Sequence, residues 1–173
     1  WPYLLNSGRL RDQWHTMTRT GKSSNLSRNM KEPQVAIHPS DAKRLSLKQD
    51  DLVKVSSPYG EILMPCILDA GLRRFSIFAP IHWNGQTSAN ANVSNCFSSR
   101  TDSLSGQPDS KYVAVKLTPV NTAKHVQIFS VKELNLPLDY WSKVKLQQGF
   151  EYIAAHSKPL GSVLDWCQTL DVT

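Results

Sequence analysis

Residues 52–68 read Leu52-Val53-Lys54-Val55-Ser56, then Ser57-Pro58-Tyr59-Gly60, then Glu61-Ile62-Leu63-Met64-Pro65-Cys66-Ile67-Leu68. Two apolar runs on either side of Pro58-Tyr59-Gly60 are typical of two strands joined by a tight turn, so this stretch predicts a β-hairpin with Tyr59-Gly60 at its tip. Pro65 has no backbone N–H to donate, so we expect the second strand to bend or to lie at a sheet edge.

Other segments share this alternating character, and one segment between them predicts a short helix. The further predicted strands are 3–5, 34–38, 75–80 and 111–117, and the predicted helix is 39–45, with Pro39 and Ser40 at its entry. Strands separated by long polar connections indicate a mainly β fold. We expect a small closed β-barrel with one or two short helices packed at its ends.

Two long polar segments interrupt these strands. The opening loop follows the first strand from Asn6 and continues through a Ser- and Asn-rich stretch to Pro33, and the second loop covers 81–107. Loops of this length in a compact domain are mostly either functional or disordered. Both leave or enter barrel strands, so we expect them to converge at one mouth of the barrel.

The side chains of the two loops suit an anionic ligand that carries a polar ring. The candidate ligand residues of the opening loop are Ser7, Gly8, Arg9, Gln13, His15 and Thr16, and those of the second loop are Asn84, Asn92, Asn95, Asp102 and Ser105, with Lys111 at its exit. Arg, Lys and backbone N–H groups suit phosphates, and Asn or Asp can match the edge of a heterocycle. The alternatives are a solvated basic loop and Asn residues that only stabilise turns.

Composition narrows the class of protein. The chain has 173 residues, 40% of them hydrophobic, enough for one domain with an appendage or for two small ones. The sequence has no apolar run long enough for a membrane span. It begins with Trp1-Pro2 rather than Met, so we expect a piece of a longer protein. Three widely spaced cysteines without a secretory signal favour free thiols in the cytosol.

The sequence predicts binding rather than catalysis. Ser7 and His15 lie in one loop with no acid placed to orient the histidine, so we assign no catalytic residue. The spacing of His and Cys residues matches no zinc pattern, so we assign no metal ligand. The net charge of +6 is spread along the chain without a block of like charges, and a small anionic ligand explains this charge as well as nucleic acid does.

Residues 120–173 differ in character from the predicted barrel, 1–119. We expect a strand at 126–129 and short amphipathic helices at 140–144 and 159–166. This mixed C-terminal extension is expected to pack on the barrel or on a neighbouring domain.

Two motifs resemble a known family. Ser7-Gly8-Arg9 followed by Gln13-Trp14-His15-Thr16-Met17-Thr18-Arg19-Thr20-Gly21 resembles the opening of the C-terminal molybdopterin-dinucleotide-binding domain of the dimethyl-sulfoxide-reductase superfamily. Asp102-Ser103-Leu104-Ser105-Gly106-Gln107-Pro108-Asp109-Ser110-Lys111, before a Val-rich strand, resembles its closing motif. The resemblance covers about residues 1–118, and within the superfamily it is greatest to assimilatory nitrate reductases.

The resemblance implies a six-stranded double-psi β-barrel that holds one side of bis(molybdopterin guanine dinucleotide) with its molybdenum. Ser7, Gly8, Arg9, His15 and Thr16 would contact pyrophosphate and pterin, with Gln13 in the same motif. Asn95 would contact the pterin edge, with Asn92 as the alternative, and Lys111 would be the basic residue after Gln-Pro-Asp. Two positions depart from the family pattern: Ser7 replaces Thr and keeps the hydroxyl, and Ser103 replaces Pro, which is expected to loosen the turn.

The resemblance also implies a larger parent enzyme. Upstream domains of the same cytoplasmic subunit would carry the molybdenum ligand and a 4Fe–4S cluster, nitrate would be the substrate, and the isolated fragment would be inactive. Another molybdoenzyme, such as a formate dehydrogenase, is the alternative within the family. Outside it, the alternatives are a basic β-barrel that binds nucleic acid and a purely structural packing module; we expect neither nucleic acid nor a membrane as a partner.

Overall fold

The computed structural model describes residues 1–121 and 124–156. Six strands form a closed barrel: β1 Tyr3–Gly8, β2 Val35–Ile37, β3 Leu52–Ser56, β4 Glu61–Leu68, β5 Ser76–Pro80 and β6 Val113–Pro119. Three more form a separate antiparallel sheet: β7 Lys124–Ser130, β8 Tyr140–Lys145 and β9 Phe150–His156. The short helices are α1 Ser24–Ser27 and α2 Pro39–Arg44, and 3₁₀ turns lie at Thr20–Lys22 and Val93–Cys96.

The barrel closes in the strand order β1-β5-β2-β4-β3-β6. β1 pairs with β5 and β2 pairs with β4 in parallel, and the other neighbours are antiparallel. β1 and β6 bury alternate side chains, which is the periodicity of a sheet with one buried face, whereas β2 and the middle of β4 are buried on both faces. The interior includes Leu5, Ile37, Val55, Ile62, Met64, Ile77 and Val115, which together come from all six strands. The predicted mainly β six-stranded barrel is confirmed.

The predicted hairpin is confirmed, but its proline is not at an edge. β3 and β4 have the predicted bounds, and the Ser57 N–H donates to the Gly60 carbonyl across the turn at 2.8 Å. β4 pairs on both sides, and Pro65 lies opposite Leu52. Cys66 N–H donates towards β3, to Asp51 O, so Pro65 lacks its N–H on the β2 side. The ladder with β2 begins only at Cys66, which is why the proline fits inside the barrel.

The expected helix at 140–144 is wrong, because these residues form the strand β8. Tyr140, Ser142 and Val144 are buried and alternate with partly exposed neighbours, a period of two rather than 3.6. β8 pairs with β9, a strand for which we had no expectation, and β7 contains the strand expected at 126–129. The helix expected at 159–166 lies outside the described residues. The extension is thus an antiparallel sheet over the part that the structure describes.

The strand register brings both long loops to one end of the barrel. β1 runs parallel to β5, with Gly8 opposite Pro80, so the opening loop and the second loop begin side by side. β6 runs antiparallel to β1 and begins with Val113 opposite Leu5, so the second loop also ends there. The convergence of the two loops is therefore confirmed. We call this end the mouth; α2 lies at the opposite end.

No helix in the described ranges is long and apolar enough to cross a membrane.

Candidate functional site

The two motifs meet at the mouth through Ser7 and Lys111. The Ser7 hydroxyl donates to the Ser110 carbonyl at 2.6 Å, and the Lys111 ammonium donates to the Ser7 carbonyl. Ser7 is buried, so its side chain joins the end of β1 to the start of β6. Lys111 is exposed and presents its remaining N–H donors to the outside of the mouth.

Gly8 is required by close packing across the parallel pair. A Cβ at this position would lie 2.7 Å from the Phe78 ring, closer than real contacts allow. The glycine therefore leaves room for the Phe78 ring of β5 at the point where the chain leaves β1 for Arg9. Its backbone rather than a side chain is available at the start of the opening loop.

His82 holds the first part of the opening loop, residues 10–15, which we call the arch. It is fully buried, its Nε2 accepts from Leu10 N–H at 2.7 Å, and its Nδ1 lies 2.6 Å from the His15 carbonyl. Accepting at Nε2 and donating at Nδ1 requires the neutral tautomer with hydrogen on Nδ1. Burial is the main cause of the lowered pKa of His82, which favours that neutral form. His82 therefore positions the segment 10–15, which contains the predicted ligand residues Gln13 and His15.

Gln13 stabilises the same loop from inside. It is buried, accepts from the Thr20 hydroxyl at 2.7 Å and donates to Leu26 O at 3.4 Å. The Thr20 hydroxyl also accepts from Trp14 N–H at 3.3 Å. The ligand role of Gln13 remains a prediction. In the structure its side chain stabilises the opening loop.

Arg9, His15 and Thr16 are exposed on this loop. The neighbouring Arg11 is paired with Asp12 at 2.8 Å, and this hydrogen bond, followed by one from Asn29, lowers the pKa of Asp12 to about 2. Within the described residues the Arg9 guanidinium has no ion pair or side-chain hydrogen bond. His15 takes a positive φ of 45°, in the left-handed region of backbone conformation. Arg9 is thus an exposed cation of the opening loop that is available to an external anion.

The predicted Asn residues of the second loop lie at the 3₁₀ turn Val93–Cys96. Asn92 is half-buried and caps the turn by accepting from Ser94 N–H at 3.2 Å. Asn95 is exposed, and its carbonyl would be only 2.4 Å from a Cβ placed on Gly60, so the turn rests on the tip of the β3–β4 hairpin. That tip belongs to the mouth. Of the two, Asn95 has the freer side chain.

The closing motif folds into a compact exposed turn. The Asp102 carboxylate accepts from Leu104 N–H, Ser105 N–H and the Ser105 hydroxyl, at 3.1, 2.8 and 2.8 Å. The Ser105 backbone bond is the main cause of the lowered pKa of Asp102. Asp102 therefore closes the turn, although Ser103 stands where the family pattern has proline.

The structure brings the predicted residues to one mouth but gives them unequal access. Ser7 and Lys111 are joined directly, and His82 gathers the segment of Leu10 to His15. Arg9, His15, Thr16, Asn95 and Lys111 are exposed, Gly8 and Asn92 are half-buried, and Ser7 and Gln13 are buried. Sequence reasoning missed His82, whose only local signal is its place two residues after the end of β5.

The thiols and acids show no other reactive arrangement in the part of the chain that is described. Cys66 and Cys96 are free and buried, and burial is the main cause of the rise in both thiol pKa values to about 11. Among the described residues no group of three or more His, Cys, Asp or Glu side chains could hold a metal ion. Cys167 lies outside the described ranges.

Comparison with known proteins gives a family match and larger relatives. The family model of the molybdopterin dinucleotide binding domain matches residues 3–114. A nitrate reductase of Klebsiella oxytoca is 37% identical over 97% of this chain, and the chain spans 20% of that protein. The F420-dependent formate dehydrogenase subunit alpha of Methanocaldococcus jannaschii is 35% identical over 68% of this chain, which spans 17% of it.

A solved structure agrees with this match at the level of the fold. Acetylene hydratase from Pelobacter acetylenicus superposes with a TM-score of 0.58 and 17% identity, over 68% of this chain and 18% of that chain. The family model covers the first five strands of the barrel in full, the first two residues of β6 and both loops of the mouth. The chain belongs to the molybdopterin dinucleotide binding domain family, the C-terminal domain of the dimethyl-sulfoxide-reductase superfamily.

Proposed function

We propose that this chain holds one side of bis(molybdopterin guanine dinucleotide) in a molybdenum-dependent nitrate reductase. The observation that carries the proposal is that Arg9 and Lys111 lie at the same mouth of the barrel. The backbone of Gly8 lies beside Arg9, where β1 ends and the opening loop begins. Two cations beside the backbone of a glycine are donors of the kind that bind a pyrophosphate.

The other donors of the mouth fit the rest of the group. His15, Thr16 and Asn95 are exposed polar side chains that can match the ring edges of a pterin or guanine, and Asn92 is the alternative to Asn95. Ser7 and Gln13 are buried, so they would act through the backbone and through the shape of the loop. When bound, the group supplies redox chemistry at molybdenum, and the residues of this chain bind and orient it.

We propose for the whole protein the reduction of nitrate to nitrite in assimilation, in the cytoplasm. Upstream domains of the same subunit would supply the metal ligand and the 4Fe–4S cluster, neither of which is assigned to residues of this chain. The 37% identity to a nitrate reductase supports this proposal. The formate dehydrogenase relative favours formate oxidation as the second candidate, because both enzymes could share this domain.

We also propose that the chain divides functionally into a cofactor barrel, 1–119, and an extension, 120–173. Support for the division comes from the strand pairing, since no ladder joins β7, β8 or β9 to a barrel strand.

The test is cofactor retention in the full-length protein that carries this chain. Arg9→Ala and Lys111→Ala each remove a charged donor, so we expect roughly tenfold or greater loss of cofactor affinity for each. Molybdenum by elemental analysis and guanine nucleotide released by acid, per mole of protein, are the readouts. Lys43→Ala is the matched control, because it removes the same charge from α2 at the opposite end of the barrel.

Unchanged molybdenum and nucleotide in both mouth variants would overturn the cofactor assignment. Viologen-coupled assays of the loaded wild-type protein with nitrate and with formate then separate the two candidates for the whole enzyme.

A further inference from the structure

We propose that the C-terminal sheet is a clamp that holds the far parts of both cofactor loops, with Lys31 and Glu151 as positioning residues. The clamp is the sheet β7-β9-β8 together with the two segments it grips, 31–32 of the opening loop and 87–90 of the second loop. The inference rests on the proposed function for the identity of the ligand, and it assigns to the extension a role in binding that ligand.

An ion pair joins the opening loop to the middle strand of the sheet. Lys31 Nζ lies 2.7 Å from the Glu151 carboxylate, whose side chain is 2% exposed, and Gln127 of β7 donates to the same carboxylate oxygen. A buried carboxylate is costly unless it is paired and hydrogen-bonded. Glu151 therefore specifies where Lys31 must lie, across 120 positions of sequence.

Two side chains of β8 grip the same loop segment. The Tyr140 hydroxyl donates to the Glu32 carboxylate at 2.9 Å, and the Ser142 hydroxyl donates to Lys31 O at 2.9 Å. Tyr140 and Ser142 are both buried. Burial is the main reason that the pKa of Tyr140 lies well above its ordinary value, so the phenol stays a donor. Residues 31–32 are thus held by three contacts just before the chain enters β2.

The outer edge of β8 binds the second loop through backbone hydrogen bonds. Ala89 N–H donates to Trp141 O and Lys143 N–H donates to Thr87 O, each at 2.8 Å. Ser88 lies opposite Ser142 as an isolated antiparallel bridge, and Asn90 Nδ2 donates to Asp139 O at 2.8 Å. The loop segment therefore behaves as a short extra strand that covers the edge of the sheet.

These contacts complement those at the mouth. Ser7, His82 and Lys111 hold the loops where they leave the barrel, and the sheet holds them farther along. Thr16 lines a cleft of about 510 Å³ between the opening loop, the second loop and the extension. A loop that is already ordered loses less conformational entropy when it binds, so the clamp should raise cofactor affinity without touching the cofactor.

The test uses the full-length protein with Lys31→Met, Glu151→Gln and Lys31→Arg. Lys43→Met is the matched control, because it makes the same substitution at an exposed lysine of α2, at the opposite end of the barrel from both loops. The first readout is hydrogen exchange of the cofactor-free protein over 27–32 and 84–90. The second is the guanine nucleotide content of the protein purified with cofactor, and the third is its unfolding midpoint.

We expect about tenfold faster exchange over 27–32 in Lys31→Met and Glu151→Gln, with β2 and β4 unchanged. We expect nucleotide content to fall about threefold or more at a temperature at which each variant is still folded, as its unfolding midpoint shows, since a loosened loop loses more entropy on binding. Lys31→Arg should restore both values, because it keeps the ion pair, and Lys43→Met should match wild type.

Unchanged exchange in Lys31→Met and Glu151→Gln would overturn the clamp. Faster exchange with full nucleotide content, while Arg9→Ala loses its nucleotide, would also overturn it and would leave the proposed function standing. Full nucleotide content in Arg9→Ala and Lys111→Ala as well would instead remove the proposed function, and the ligand role of the clamp with it.

Discussion

His82 shows how one side chain can organise a binding loop. A neutral imidazole has one donor and one acceptor on opposite sides, and here both are used on backbone groups of a single arch, Leu10 N–H and His15 O. A hydroxyl or an amine could not serve both groups in this geometry. The arch includes Gln13 and leads from Arg9 to His15, so the ring shapes the site without contacting a ligand in the proposed scheme.

Protonation of His82 should weaken the fold in mild acid. Its pKa is lowered from the ordinary 6.5, mainly by burial, so below pH 6.5 the unfolded chain binds more protons than the folded one. The stabilisation by the neutral ring is therefore complete above about pH 6.5 and is lost as the pH falls through the lower folded pKa. We expect His82→Ala to cost about 2–4 kcal/mol at pH 7.5, because two backbone groups lose their partner, and to cost less at pH 5.

Urea unfolding of the wild type and His82→Ala at a series of pH values measures this difference. Subtracting the two curves removes the titration of the other histidines. His38→Ala serves as a control, because His38 caps α2 by accepting from Ser40 N–H at 3.1 Å and its loss should cost only about 1 kcal/mol. A difference between wild type and His82→Ala that does not change with pH would contradict the assigned tautomer.

At the scale of the element, the β3–β4 hairpin does more than close the barrel. Its tip supports the 3₁₀ turn Val93–Cys96, since Gly60 packs against the Asn95 backbone and Cys96 Sγ lies 3.8 Å from Gly60 O. The hairpin thereby fixes the position of this turn of the second loop at the mouth. This explains why a glycine is needed at position 60 even though its backbone φ is not positive.

Gly60→Ala should displace the second loop. The added Cβ would lie 2.4 Å from a backbone oxygen, and backbone can yield only by moving the turn, so we expect a loss of about 1–3 kcal/mol in unfolding free energy. Denaturant unfolding measures the loss, and chemical shifts of the Asn92 and Asn95 amides report the displacement.

Gly85→Ala is the matched control for this prediction. Gly85 lies in the second loop, and a Cβ there would meet nothing within 4 Å, so its effect should stay within about 0.5 kcal/mol of wild type. Equal effects of the two substitutions would show that the turn does not rest on the hairpin.

β8 shows where local patterns mislead. The run Tyr140-Trp141-Ser142-Lys143-Val144 has large apolar residues at the spacing of one helical turn as well as at alternate positions, so both periods fit it. The strand prevails because β9 lies on one side and the loop segment 87–89 on the other, and these partners satisfy its backbone groups. β9 follows β8 after a short turn, whereas the loop segment 87–89 lies far earlier in the chain.

At the scale of the whole molecule, the barrel and the sheet share a small apolar contact. Leu52 and Leu63 face outward from the barrel and are buried against Tyr140 and Ala155. Polar contacts to the two loops surround it, so the extension contacts the barrel and the mouth together. The stability of the loops is therefore expected to follow the contacts to the sheet rather than the length of the loops.

Hydrogen exchange of the cofactor-free protein should show three levels. The strands β2 and β4 have paired neighbours on both sides, so their amides should exchange only by global unfolding. Amides of 87–90 should exchange at an intermediate rate. The segment 98–107 is mostly exposed and bonded mainly within its own turn, so its amides should exchange fastest, by about a hundredfold or more relative to 87–90. Mass spectrometry of peptides or amide NMR measures the order. Equal rates over 87–90 and 98–107 would contradict the contribution of the sheet.

The sequence by itself determined the barrel strands, the hairpin of β3 and β4, the two loops and the family, because alternation, turn residues and motif spacing act between near neighbours. Only the tertiary structure decided that Ser7 is buried against Ser110, that His82 holds the arch, that Pro65 lies inside a closed sheet and that Lys31 meets Glu151. The physical reason is the same for each. Their partners lie tens of residues away or more, and strand register, which depends on the packing of the whole core, sets which of them come together.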